Sequence, residues 1–224
     1  FTALTKTTNW EDVLKVEDRD YAFATIGMCS TDLDMVKKYQ PPRIIVDVAN
    51  GQMEAFFTFI SRVRDAAPDS YIMAGTVAEP EAAGRIIDCG ADVARVGIGS
   101  GGACTTRRMT GLGIPQFTAV LTCSNALRNF GSVCCDGGCV YPGDVAKAFG
   151  AGATWVMLGS MFAGHMESEE PVCMSAIDGK AFIEFRGMSS HATQRAHGKT
   201  SESYRASEGR VVTIPYRGMV ENTV

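Results

Sequence analysis

Short apolar runs alternate with amphipathic stretches along the chain. Seven of the runs are rich in β-formers and lack the polar alternation of a half-exposed strand. They are Phe1–Leu4, Tyr21–Ile26, Arg43–Val48, Tyr71–Ala74, Ala91–Val96, Ser132–Cys135 and Thr154–Leu158. Such runs are expected of parallel strands buried on both faces. Helix patterns lie between them. Thr31–Lys38 opens at a Ser/Thr cap with aspartates in its first turn, and Gln52–Ala66 carries apolar residues at helical spacing. Glu79–Cys89 stops at Gly90, Pro115–Asn129 begins with a first-turn proline, and Pro142–Phe149 stops at Gly150.

Strand, loop and helix, repeated with short connections, predict right-handed βαβ units. A doubly wound sheet carries its ligand loop after the first strand. Here polar, glycine- or aspartate-bearing segments follow nearly every strand: Asp47–Gly51, Ala74–Thr76, Gly97–Arg107, Asp136–Gly138 and Gly159–Ser160. Loops converging from many strand ends predict the C-terminal face of a (β/α)8 TIM barrel. Seven strands leave such a barrel one short, most simply its first. Phe1 and Val224 both read as cut ends, so the expectation is a single barrel domain over 1–224, incomplete at both termini. After His165 the apolar periodicity fades. The segment at about 166–210 is expected to be an excursion that forms a flap, with a short strand at Phe182–Phe185. The alternative is a loop without a role.

Composition narrows the class. With 46% hydrophobic and 21% charged residues, the chain can bury one large core. A net charge of −4 argues against a nucleic-acid surface. No apolar run reaches membrane-span length and no secretory signal is visible. Several cysteines sit within apolar segments of a chain that needs no disulfide framework, which predicts reduced thiols and a cytoplasmic setting. Cys134, Cys135 and Cys139 lack the paired spacing of a zinc site.

The candidate chemistry concentrates after the fifth run. Gly97-Ile98-Gly99-Ser100-Gly101-Gly102-Ala103-Cys104-Thr105-Thr106-Arg107 sets four glycines ahead of one cysteine, then two hydroxyls and a guanidinium. Glycines permit close backbone approach to a ligand, and a cysteine presented there is placed for nucleophilic chemistry. The alternative is a turn with a packed thiol. Asp136-Gly137-Gly138 and Gly159-Ser160 follow the last two strands, where such barrels often hold phosphate. An aspartate repels phosphate but accepts hydrogen bonds from ribose hydroxyls, so a phosphorylated ribose is the economical ligand. Asp136 as a helix cap beside a plain turn is the competing reading. Gly187-Met188-Ser189-Ser190 could cover a flat base, and Tyr204-Arg205-Ala206-Ser207-Glu208-Gly209 offers a carboxylate for proton transfer.

Taken together, Asp47–Gly51, Gly97–Arg107, Thr110–Val120, Asp136–Ala153, Met157–Ser168, Gly187–Ser190 and Tyr204–Gly209 resemble the IMP dehydrogenase/GMP reductase family. Cys104-Thr105-Thr106-Arg107 and Arg205–Gly209 resemble its reductase branch, which converts GMP and NADPH to IMP, ammonia and NADP+. The resemblance implies Cys104 as the nucleophile on purine C2, forming a thioimidate, with Thr106 and Glu208 carrying a proton to the departing amine. It implies nucleotide contacts from Asp136, Gly137, Gly138, Gly159, Ser160, Gly187, Met188, Ser189, Arg205, Ala206, Ser207 and Gly209. It implies cofactor contacts from Lys6, Asp47, Val48, Ala49, Ile98, Gly99, Met188, Tyr204 and Arg205. Carbonyls of Gly99, Gly101, Cys104 and Arg107 are implied ligands of potassium, and the assembly implied is a homotetramer. Gly159-Ser160 and Phe185-Arg186-Gly187 lean toward the dehydrogenase branch, which oxidises IMP with NAD. Thr76 stands where asparagine is common, Thr5 and Thr7 where histidines are usual, and Cys135 where serine is usual. A dehydrogenase and a non-catalytic nucleotide-binding barrel are the competing readings.

Overall fold

The computed structural model describes residues 1–6, 8, 19–168, 171–187 and 209–222. Seven parallel strands form one sheet in strict chain order: β1 (Thr2–Ala3), β2 (Ala22–Ile26), β3 (Arg43–Asp47), β4 (Tyr71–Val77), β5 (Val93–Val96), β6 (Ser132–Asp136) and β7 (Trp155–Met157). Between them run α1 (Ser30–Tyr39), α2 (Glu54–Ala66), α3 (Pro80–Asp88), a short α4 (Thr106–Thr110), α5 (Gln116–Leu127) and α6 (Pro142–Gly150). Every predicted strand and helix is present. The sheet curls far enough that the Phe1 ring, just before β1, meets Trp155 of β7 at 5.0 Å.

Side chains alternate across each strand, as the two-residue period demands. The outward set, including Ile44, Val46, Ile72, Ala74, Val133 and Cys135, packs against Phe56, Ile60, Ile86 and Val120 from the helices. The inward set gathers Phe23, Ile45, Met73, Val93 and Cys134, with Tyr71, Trp155 and Met157 against them. This is the inward-facing layer of a TIM-type barrel, built here from seven strands. A cavity of about 700 Å³ remains inside the curl, bordered by Phe1, Phe23, Trp155 and Phe162.

Local details depart from the expected signals. The N-cap of α1 is Cys29, and Asp32 closes that turn by accepting from the Gly27 and Cys29 amides at 2.9 and 3.3 Å. Pro115 is itself the N-cap of α5, not its first turn. Helix α6 runs through Gly150, and Gly152, with φ +95°, makes the left-handed turn beyond it.

After His165 the chain builds a small antiparallel sheet from β8 (Val172–Met174), β9 (Ala181–Arg186) and β10 (Val211–Pro215), with β9 central. It is tied to the barrel through Arg217 N to Gly164 O at 2.8 Å and Met166 N to Gly218 O at 2.9 Å.

Candidate active site

The loop after β5 is shaped by its neighbours. Ser100 Oγ donates to Gly97 O at 3.1 Å and to Asp136 O at 2.6 Å. The Gln116 amide donates to Val96 O at 2.8 Å and to Asp136 O at 3.2 Å. These bonds lash the end of β6 to the cysteine loop. Close approach requires glycine at two positions. A Cβ on Gly97 (φ +148°) would lie 2.1 Å from Asp136 O. One on Gly137 (φ +80°) would lie 2.9 Å from Gly101 N. Gly137→Ala is therefore expected to cost roughly 1–3 kcal/mol from overpacking, before its backbone strain is added. A thermal melt beside wild type checks this; an unchanged melting temperature would contradict the close approach.

Cys104 is a half-buried free thiol at the mouth of this loop. Its amide donates to Gly101 O at 2.9 Å, and its Sγ donates to Thr106 Oγ1 at 3.1 Å. The nucleophile and proton carrier expected from the sequence are thus already hydrogen-bonded. Cys104 also forms an antiparallel bridge with Gly209, and Arg210 N donates to Ala103 O at 2.9 Å. Gly187 arrives on the same side, where a Cβ would lie 3.1 Å from both Ala103 O and the Gly209 Cα. The small sheet therefore delivers both of its inner ends to the cysteine. Met188, Ser189, Tyr204, Arg205, Ala206, Ser207 and Glu208 lie outside the described residues.

The two phosphate-suited loops converge on the same place. Gly137 abuts Ser100 and Gly101, and Gly138 abuts Gln116. A Cβ on Gly102 would lie 3.6 Å from Ser160 Oγ, which brings Gly159-Ser160 against the cysteine loop. Asp136 is the last residue of β6, and the N-cap of the next helix is Tyr141, so Asp136 is not a helix cap.

Of the residues implied for a cofactor, Lys6 and Asp47 are directly joined. Lys6 Nζ lies 2.7 Å from Asp47 Oδ2 and donates to Asp47 O at 2.8 Å. Val48 is held between Gly75 O and the Thr76 amide, leaving Ala49 exposed. Ile98 and Gly99 stand partly exposed at the start of the cysteine loop. Of the four carbonyls implied for potassium, those of Gly99, Gly101 and Cys104 lie on the loop and that of Arg107 lies in helix α4 just after it. Gly101 O and Arg107 O each accept one amide, from Cys104 and Gly111, and each keeps a second lone pair. Uncharged carbonyl oxygens are the donor chemistry a monovalent cation takes.

Sequence reasoning missed Arg95. Its side chain is only 8% exposed, and it ion-pairs with Asp47 and, at 3.7 Å, with Asp136 Oδ2. The available signal was a charged residue inside an otherwise apolar strand. Burial pushes the Asp47 carboxyl up, but Arg95 and Lys6 outweigh it and hold the group below its ordinary range. Burial pushes Asp136 up; Arg95 opposes this and Asp47 adds to it, so the carboxyl stays raised. Cys134 points into the barrel, whereas Cys135 and Cys139 pack outside against the helices. Burial pushes the thiols of Cys123 and Cys139 up to about 11.

This constellation has relatives. The family model described as "IMP dehydrogenase / GMP reductase domain" matches residues 14–224. The chain belongs to the IMP dehydrogenase/GMP reductase family. A Caenorhabditis elegans protein named GMP reductase is 52% identical over 182 residues, covering 81% of this chain and 50% of its own. A Yersinia pestis GMP reductase is 45% identical over 210 residues, covering 91% and 60%. The crystal structure of a Trypanosoma brucei GMP reductase variant in complex with guanosine 5'-monophosphate superposes with a TM-score of 0.82 at 31% identity. It covers 90% of this chain and 43% of that one. The chain thus spans 50–60% of the length of these two curated relatives. Among the described residues, no helix is long and apolar enough to cross a membrane.

Proposed function

We propose that the protein reductively deaminates GMP with NADPH, yielding IMP, ammonia and NADP+, within purine nucleotide salvage. The observation that carries this reading is the Cys104–Thr106 hydrogen bond beside the Cys104–Gly209 bridge. The bridge brings Gly209 against Cys104. The relatives named GMP reductase, and the GMP-bound structure among them, support the same choice.

In this reading Cys104 attacks purine C2 as a thiolate, the nucleophilic form. The C2–nitrogen bond breaks and the amine leaves as ammonia, with Thr106 and Glu208 passing the proton. A Cys104–purine thioimidate remains. Bound NADPH supplies a hydride to C2, and the C2–sulfur bond then breaks to release the thiolate. Asp136 accepts from the ribose hydroxyls. Amides of Gly137, Gly138 and Gly159, with the Ser160 hydroxyl, hold the phosphate. Gly187, Met188 and Ser189, with the stretch from Arg205 to Gly209, bind the nucleotide. Lys6, Asp47, Val48, Ala49, Ile98, Gly99, Met188, Tyr204 and Arg205 orient the nicotinamide nucleotide. Carbonyls of Gly99, Gly101, Cys104 and Arg107 hold potassium and shape the loop. The working form is a cytoplasmic homotetramer of barrel domains.

Asp136 must be ionised to accept from both hydroxyls. Because burial raises its carboxyl, GMP affinity is expected to fall as pH drops, starting above the ordinary aspartate range. A KM profile for GMP between pH 5 and 8 checks this; a flat profile would remove Asp136 from the site.

The defining assay follows nicotinamide absorbance in purified protein supplied with GMP and NADPH, with IMP and NAD+ as the reciprocal pair. Loss of NADPH with ammonia release is expected. Turnover only with IMP and NAD+ would establish the dehydrogenase reading, which Gly159-Ser160 favours. Binding of GMP without turnover in either direction would establish a non-catalytic barrel.

A further inference from the structure

Above the apolar barrel interior, the inward face changes character. Two residues beyond Ile45, Met73, Val93 and Cys134, the inward positions are Asp47, Gly75, Arg95 and Asp136. Gly75 on β4 has no side chain to stand between β3 and β5. Even a Cβ there would lie 2.7 Å from the Arg95 Cβ. The Arg95 guanidinium therefore crosses β4 and reaches Asp47. Its Nη2 donates to the Asp47 carboxylate and, at 3.3 Å each, to Gly75 O and Thr76 Oγ1. Its Nε faces the other way, 3.7 Å from Asp136 Oδ2, and has no hydrogen-bond partner.

The geometry points to Arg95 as a positioning residue that links the cofactor-side carboxylate, Asp47, to the ribose-side carboxylate, Asp136, and keeps Asp136 an anion. A buried guanidinium demands carboxylate partners, and its flat fork can serve two at once where an ammonium serves one point. The division of labour is uneven. Asp47 takes the hydrogen bonds, while Asp136 receives charge at a distance too long for a hydrogen bond. Among the described residues none donates a hydrogen bond to the Asp136 carboxylate, so none of them occupies an oxygen that ribose hydroxyls would use. Among the described residues, the charged and titratable groups facing Asp136 are Arg95 on β5, Asp47 on β3 with Lys6 behind it, and the Cys134 thiol on β6, while the Cys135 thiol lies next to it in sequence on the opposite, helix-facing side. Without Arg95, two carboxylates would confront each other in a half-buried layer with, among the described residues, Lys6 alone to balance them. Asp136 would then take up a proton and lose an acceptor oxygen.

This inference rests on the reading of Asp136 as a ribose contact, and its test separates the two. GMP Kd is measured by equilibrium dialysis from pH 6 to 9 in the purified wild type, Arg95→Met and Arg95→Lys. Arg95→Met is expected to weaken GMP at pH 6–7 by roughly 10- to 100-fold, the loss of hydroxyl bonds to a charged acceptor. Binding should recover toward wild type as pH rises to 9. Arg95→Lys, which keeps the charge but not the two-sided fork, should restore part of the neutral-pH affinity. A purely structural role for Arg95 would weaken binding equally at all pH values, and that result, or unchanged affinity in Arg95→Met, overturns the inference. If Arg95→Met does not fold, the double variant Arg95→Met/Asp47→Asn relieves the repulsion. A smaller but still pH-dependent loss is expected of it, because burial of Asp136 is then unopposed by Arg95, and a flat loss again overturns the inference. Failure of the wild type to bind GMP at all would instead refute the nucleotide reading.

Discussion

Replacing Cys104 with alanine is expected to abolish GMP reduction while leaving GMP binding within a few-fold of wild type. The expected loss in kcat is about 10⁴- to 10⁶-fold, the scale of deleting an activated nucleophile. Binding survives because the proposed phosphate and ribose contacts come from other loops, whose glycines approach the cysteine loop through backbone, not through the Cys104 side chain. The other buried thiols offer no substitute. Cys134 faces the barrel interior, and Cys135 and Cys139 face the helices. Stopped-flow turnover beside a GMP binding isotherm reads both halves of the expectation. Full activity in Cys104→Ala would end the covalent account.

The second large effect belongs to the proton path. Thr106→Val and Glu208→Gln are each expected to lower kcat by about 10²- to 10⁴-fold, the usual contribution of a positioned acid or base. The double variant should lose little more than either single one, since two groups on one relay fail together. Ammonia release is the step affected, so both variants should bind GMP normally. Additive losses would mean that Thr106 and Glu208 act separately. Thr106 already bonds the thiol at 3.1 Å, which is why the threonine is assigned the inner place in the relay.

Much of this architecture was legible in the sequence because parallel strands buried on both faces announce themselves as unbroken apolar runs. Ile44, Ile45 and Val46 are all essentially inaccessible, so both faces of β3 demand the same residue types. The same logic fails where burial is partial. Strands β8 and β10 are mostly exposed, and only the central β9, with fully buried Ile183, left a readable run. Helix α4 is five residues of mainly polar character with no buried face, so periodicity could not mark it. In the candidate site, Cys104 and Thr106 are two residues apart and their contact is local. Arg95 is different. Its partners lie 48 residues before it and, across the cysteine loop, on β6, and only the pairing of β3 through β6 in one sheet brings them together. The strand pattern around Arg95 even argued for apolar burial on both faces. Gly75, expected in the polar segment that follows its strand, lies inside β4 and clears the path for that guanidinium.

The central claim is that Cys104 bonds to C2 of GMP and expels its amine. The most direct measurement is mass spectrometry of the protein quenched with acid during turnover of GMP and NADPH, with peptide mapping of any adduct. The account predicts a species heavier by GMP minus ammonia, carried on the peptide that contains Cys104. Steady turnover with no such adduct in pre-steady-state samples, or an adduct mapped to any other cysteine, would contradict it.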